Sequence, residues 1–81
     1  EEIVEHVMAK MGDVLQIHLL GDYAKGLDTG TIEVMLIGEN LDTSYISSLE
    51  KKIEKLIERK VHFIISNRKS SEQKTILLFE R

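Results

Sequence analysis

A chain of 81 residues and 9.3 kDa makes one small domain, burying only about 60–65% of the surface its unfolded form exposes. Its 42% apolar and 31% charged residues read as a folded protein rather than a disordered one, and zero cysteine excludes a disulfide scaffold, thiolate zinc sites and thiol catalysis. With 14 acids against 11 bases the net charge is −3, which points neither to nucleic acid nor to an anionic membrane.

Residues 2–11 carry Ile3, Val4, Val7, Met8 and Met11 on one helical stripe, which Gly12 and Asp13 end. Residues 14–20 alternate Leu15, Ile17 and Leu19 against Gln16 and His18, the pattern of a half-buried strand. Gly21-Asp22-Tyr23-Ala24-Lys25-Gly26 lies between two glycines with room for one helical turn. A polar loop follows, then a second strand with Ile32, Val34 and Leu36 on one face and Thr31, Glu33 and Met35 on the other. Gly38, Glu39 and Asn40 predict a turn, and Asp42 or Thr43 an N-cap.

From there Ile46, Leu49, Ile53, Leu56 and Ile57 give the strongest helical periodicity in the chain. The opposite face interleaves Glu50, Lys51, Lys52, Glu54, Lys55, Glu58 and Arg59 and reads as solvated. Residues 61–66 predict a third strand, 67–74 a loop, and 75–79 a fourth strand. A charge-free Ile-Leu-Leu-Phe run makes a poor solvent edge, so the last strand is expected to be central or paired, with a homodimer as one way of covering it. The expected fold is α+β: a small mixed sheet of three or four strands with two helices packed on one face. The other face would stay uncovered. The longest apolar runs, such as 34–37 and 76–79, fall far short of a bilayer span, so no membrane role is expected. The chain opens on Glu1 rather than Met, and a fragment of a longer, cytoplasmic protein is the expectation.

The unit that carries chemistry is strand, glycine turn, loop, strand. A glycine at a strand end lets backbone N–H groups approach a phosphate closely, and Lys25 would add a point charge. On these residues alone, a tight connection between strands is the competing reading. The run Leu19-Leu20-Gly21-Asp22-Tyr23-Ala24-Lys25-Gly26 resembles the hydrophobic-G-S-x-A-R-G signature of the nucleotidyltransferase superfamily, especially its minimal bacterial members. Gly30 to Ile37 falls where that superfamily has S-D-I-D-L-L-V, and residues 60–65 where it often has a strand bearing a third carboxylate.

The resemblance implies three carboxylates on neighbouring strands holding two Mg²⁺ ions that bind a nucleoside triphosphate and activate an incoming hydroxyl. This sequence departs from it. Thr31, Glu33 and His62 stand at the three acid positions, and Asp22 replaces the serine that would contact the triphosphate. The nucleotide-binding residues that carry over are Gly21, Asp22, Lys25 and Gly26, and the metal-ligand candidates are Glu33 and His62. One Mg²⁺ carried in on a nucleotide is compatible with a single carboxylate; no catalytic residue carries over intact.

His18, His62, Glu33 and Thr31 on one uncovered face would also suit a transition metal, against the plainer reading of the histidines as surface or hydrogen-bonded groups. The resemblance implies a non-catalytic sensor or interaction domain of a prokaryotic transcription regulator. DNA would then be bound only through a winged-helix domain missing from the N-terminal side. The alternative is an active minimal nucleotidyltransferase of the antitoxin type. A third reading is a ligand-free dimerisation module.

Overall fold

The computed structural model describes residues 2–66 and 75–81. Its elements run α1 (Glu2–Met11), β1 (Asp13–Leu20), α2 (Gly21–Ala24), β2 (Thr31–Glu39), α3 (Thr43–Ile57), β3 (Lys60–Ser66) and β4 (Ile76–Glu80). The strands form one mixed sheet in the order β3-β2-β1-β4. β1 is antiparallel to both β2 and β4, and β2 is parallel to β3. The expected architecture is thus present, and the loop expected at 67–74 lies outside the described residues.

The core forms where α1 and α3 meet one face of the sheet. Met11, Val14, Val34, Leu36 and Ile46 are buried together, flanked by Val7, Met8, Ile17, Leu19, Leu49 and Phe63. Asp42 caps α3, its Oδ1 accepting from the backbone N–H of Tyr45 at 3.0 Å, as the N-cap position anticipates. Glu58 closes the helix in the left-handed region, φ 56°, and α3 meets α1 where the N–H of Asp42 donates to Met11 O at 2.8 Å.

Four expectations need correcting. The register of β1 slips between Val14 and Gln16, a bulge that inserts Leu15 as an unpaired residue. Val14 is therefore the buried member of the helix-side set, and Leu15 is exposed. Gly38 and Glu39 continue β2 instead of turning, because Gly38 pairs with Val14 so closely that a Cβ there would strike the Asp13 carbonyl and the Val14 Cα. The turn is made one residue later, at Asn40 with φ 53°. Among the described strands β4 is an edge, with Ile76, Leu77 and Leu78 about half exposed. Leu56 leaves the apolar stripe of α3 and is the most exposed large apolar residue described.

The face of α3 read as solvated also has a structural duty. Glu54 accepts from the N–H of Val61 at 2.8 Å and Glu50 from that of Phe63 at 2.9 Å. These carboxylates satisfy outward N–H groups of β3, which would otherwise template pairing with another chain. The sheet face opposite the helices is not bare either: Leu20, Met35 and Ile37 form a second buried group there, with His18.

Candidate functional site

β1 ends at Leu20 and the chain turns at once into α2, a turn that Gly21 makes with φ 66°. L-side chains avoid that region. The turn closes on itself: the N–H groups of Lys25 and Leu27 donate to Asp22 O at 3.0 and 2.9 Å, and that of Gly26 to Tyr23 O at 3.1 Å. No side chain caps the start of α2. Asp22, Tyr23, Lys25 and Gly26 are all exposed.

Strand register brings Glu33 to this turn. Leu20 of β1 lies opposite Glu33 of β2, and Glu33 lies opposite His62 of β3. Glu33 precedes the core residue Val34, so its side chain emerges on the face away from the helices. Thr31 lies two residues earlier on that face and opposite Lys60. The carboxylate of Glu33 packs against the α-carbon of Gly21, where a Cβ would fall 2.9 Å from Oε2. Glu33 and Thr31 are half-buried and His62 is exposed. The residues singled out in sequence, Gly21, Asp22, Lys25, Gly26, Glu33 and His62, thus gather at one end of the sheet.

His18 does not join them in a metal site. Its Nδ1 lies 2.9 Å from Thr75 Oγ1 and its Nε2 2.8 Å from Gln16 Oε1, while Gln16 Nε2 donates to Glu80 Oε2 at 2.6 Å. Both ring nitrogens are used, so the hydrogen-bonded reading holds and the residue ties β4 to β1. Among the described residues, no group of three or more His, Asp or Glu could hold a metal ion. None of their helices is long and apolar enough to cross a membrane.

An ion pair at this end has no local signal in the sequence. Arg59, at the turn from α3 into β3, donates from Nε to Asp28 Oδ1 and Oδ2 at 3.1 and 2.9 Å, and from Nη2 to Oδ2 at 2.5 Å. Asp28 Oδ1 also accepts from the N–H of Gly30 at 3.1 Å. The Arg59 hydrogen bonds, helped by the Gly30 N–H and the nearby positive charge, hold the Asp28 carboxyl below its usual range. A depressed carboxylate stabilises the fold above the ordinary carboxylate pKa, and that contribution disappears as pH falls through the lowered value. The stability difference between wild type and Asp28→Asn in urea titrations should therefore shrink below about pH 4. Both groups are partly exposed, so the difference should be modest and weaken with salt.

No family model matches this sequence, and no curated protein matches it. Solved structures do. A mutant of the toxin–antitoxin MntA–HpeT bearing two aspartate-to-glutamate changes superposes with TM-score 0.73 at 17% identity, over 99% of this chain and 71% of the other. A second MntA–HpeT mutant gives 0.68 at 16%, over 99% and 70%. A chain from the complex of the tri-AMPylated Shewanella oneidensis HEPN toxin with MNT antitoxin gives 0.67 at 16%, over 99% and 68%. The likeness spans nearly the whole chain, and the fold it shows is the minimal nucleotidyltransferase fold.

Proposed function

We propose that this chain is an antitoxin-type minimal nucleotidyltransferase that holds a nucleoside triphosphate with one Mg²⁺ and acts on a partner protein. The observation that carries the reading is the Glu33 carboxylate lodged against Gly21, which sets one strand acid at the foot of the glycine turn. The shared fold supports it, since one similar structure is of a HEPN toxin in AMPylated form together with its MNT antitoxin.

The residues fit one Mg²⁺ and not two. A single carboxylate with substrate phosphate oxygens is an ordinary magnesium environment, whereas a two-ion clamp needs acids that Thr31 and His62 do not supply. Bound Mg²⁺ supplies charge neutralisation on the phosphates. In this reading the N–H groups at the start of α2 and the Lys25 ammonium would receive phosphate oxygens, Glu33 would hold the ion, and the Thr31 hydroxyl would orient a nearby oxygen. His62, beside Glu33 and open to solvent, would take the proton of the incoming hydroxyl as that oxygen bonds the α-phosphorus and the bond to the β-phosphate breaks, releasing pyrophosphate.

The test is transfer of label from α-labelled ATP to a HEPN-type partner protein, with MgATP binding followed separately by calorimetry. Wild type should label the partner, and Glu33→Gln, which removes the charge that holds the ion, should reduce labelling about 10²-fold or more. Binding of MgATP without any transfer would instead favour a second reading, the non-catalytic sensor domain of a transcription regulator. The presence of Thr31 and His62 where acids are expected supports that alternative. Absence of binding would sink both nucleotide readings and leave an interaction role.

A further inference from the structure

We infer that the Asp28–Arg59 pair is a positioning strut that holds the loop leading into β2 against the turn leading into β3. The functional part of this inference rests on reading the Gly21–Gly26 end as a nucleotide site. The groups of that site hang from two connectors. Residues 25–30 deliver β2 with Thr31 and Glu33, and Glu58 and Arg59 deliver β3 with Lys60 and His62.

Apart from the N–H bonds of Lys25, Gly26 and Leu27 back to α2, the first connector has little packing to hold it. A Cβ at Gly26 or Gly30 would meet nothing within 4 Å, and Leu27 is exposed. Its placement therefore depends on polar ties. Arg59 supplies them in a form suited to fixing geometry: Nε and Nη2 grip the Asp28 carboxylate while Nη1 donates to Ile57 O, the last carbonyl of α3, at 3.1 Å. The planar fork is thus anchored at both sides, which an ammonium cannot reproduce. Backbone bonds finish the join, with the N–H of Lys60 donating to Gly30 O at 2.9 Å and that of Gly30 to Asp28 Oδ1.

An exposed ion pair contributes little to global stability. Its effect falls instead on the two connectors that lead into β2 and β3, two residues before Glu33 and His62, whose own spacing is set by the strand ladder. The strut is a positioning device and touches no reacting atom.

The experiment is amide hydrogen exchange on the full chain, paired with calorimetric titration of MgATP, for wild type, Asp28→Asn, Arg59→Gln, Arg59→Lys and the Asp28→Asn/Arg59→Gln double variant. Each single variant should speed exchange in both 26–30 and 60–62, leave the melting temperature close to wild type, and weaken MgATP binding about two- to fivefold. The double variant should be no weaker than the singles, and Arg59→Lys should not restore tight binding. Unchanged exchange at both connectors would overturn the strut, as would single-variant losses in affinity that add. If wild type gives no heat with MgATP, the nucleotide reading fails, and exchange alone then decides whether the strut exists.

Discussion

Replacing Leu36 by alanine is expected to lower the unfolding free energy by about 2–5 kcal/mol. Leu36 is 0% exposed and sits mid-strand in β2, paired with Ile17 on one side and Ile65 on the other. It packs among Met11, Val14, Val34 and Ile46, so it joins both helices to the sheet. All four of those neighbours lie in helices or strands, whose backbone bonds keep them from collapsing far into the space left behind. A domain of this length has only about 4–12 kcal/mol of stability in total. Loss of the Leu36 side chain thus removes a large share of it, and urea unfolding followed by circular dichroism should show a sharply lower midpoint with an unchanged slope. Leu78→Ala, at 56% exposed, is the matched control and should shift the midpoint little. Equal midpoints for the two variants would mean that the helix-side cluster is not the folding core.

What could be read in sequence was local. α1, β1, β2 and α3 announced themselves through their periods, because burying one face is what makes such a segment stable in so small a domain, and β3 and β4 through their β-branched, aromatic and apolar content. The Asp42 cap and the sharp turn at Gly21 were legible for the same reason: each is decided within three or four residues. The bulge at Leu15 was not. It exists because Gly38 lets β2 approach β1 closely, a fact about two segments far apart in the chain. The edge position of β4 depends likewise on pairing order, and the charge-free Ile-Leu-Leu-Phe run carries no sign of which neighbour it will have.

The site divides along the same line. The glycine turn was visible as a motif, and the alternation of β2 put Glu33 on the face away from Val34. The resemblance alone set Glu33 and His62 on neighbouring strands; the parallel register of β2 and β3 that pairs them directly is encoded by no local pattern. Asp28 and Arg59 are 31 positions apart, and each looked like an ordinary surface charge. Glu50 and Glu54 were read as part of a solvated helical face for the same reason, although they close the edge of β3. Polar residues acquire their partners only once the sheet has assembled.

Gly21→Ala is expected to cripple the candidate site while leaving the protein folded. Gly21 has φ 66°, and an L-residue there costs about 1–2 kcal/mol. The new Cβ would also fall 2.9 Å from Glu33 Oε2 and 3.3 Å from its Cδ. Those atoms belong to the far end of a flexible side chain, so the carboxylate swings away and the backbone stays. Displacing an ion-holding group in this manner should weaken MgATP binding about 10- to 100-fold, the range seen when the support of a metal ligand is removed. Gly26→Ala separates the two effects. Gly26 is also left-handed, φ 84°, but nothing lies within 4 Å of its Cβ position and its N–H already donates to Tyr23 O, so it should lose comparable stability while Glu33 stays in place and affinity falls far less than in Gly21→Ala. Calorimetric titration of the two variants beside their thermal melts distinguishes them directly. If Gly21→Ala binds MgATP as wild type does, the contact between Gly21 and Glu33 has no part in holding a ligand. The nucleotide would then have to lie elsewhere on the fold, away from Glu33.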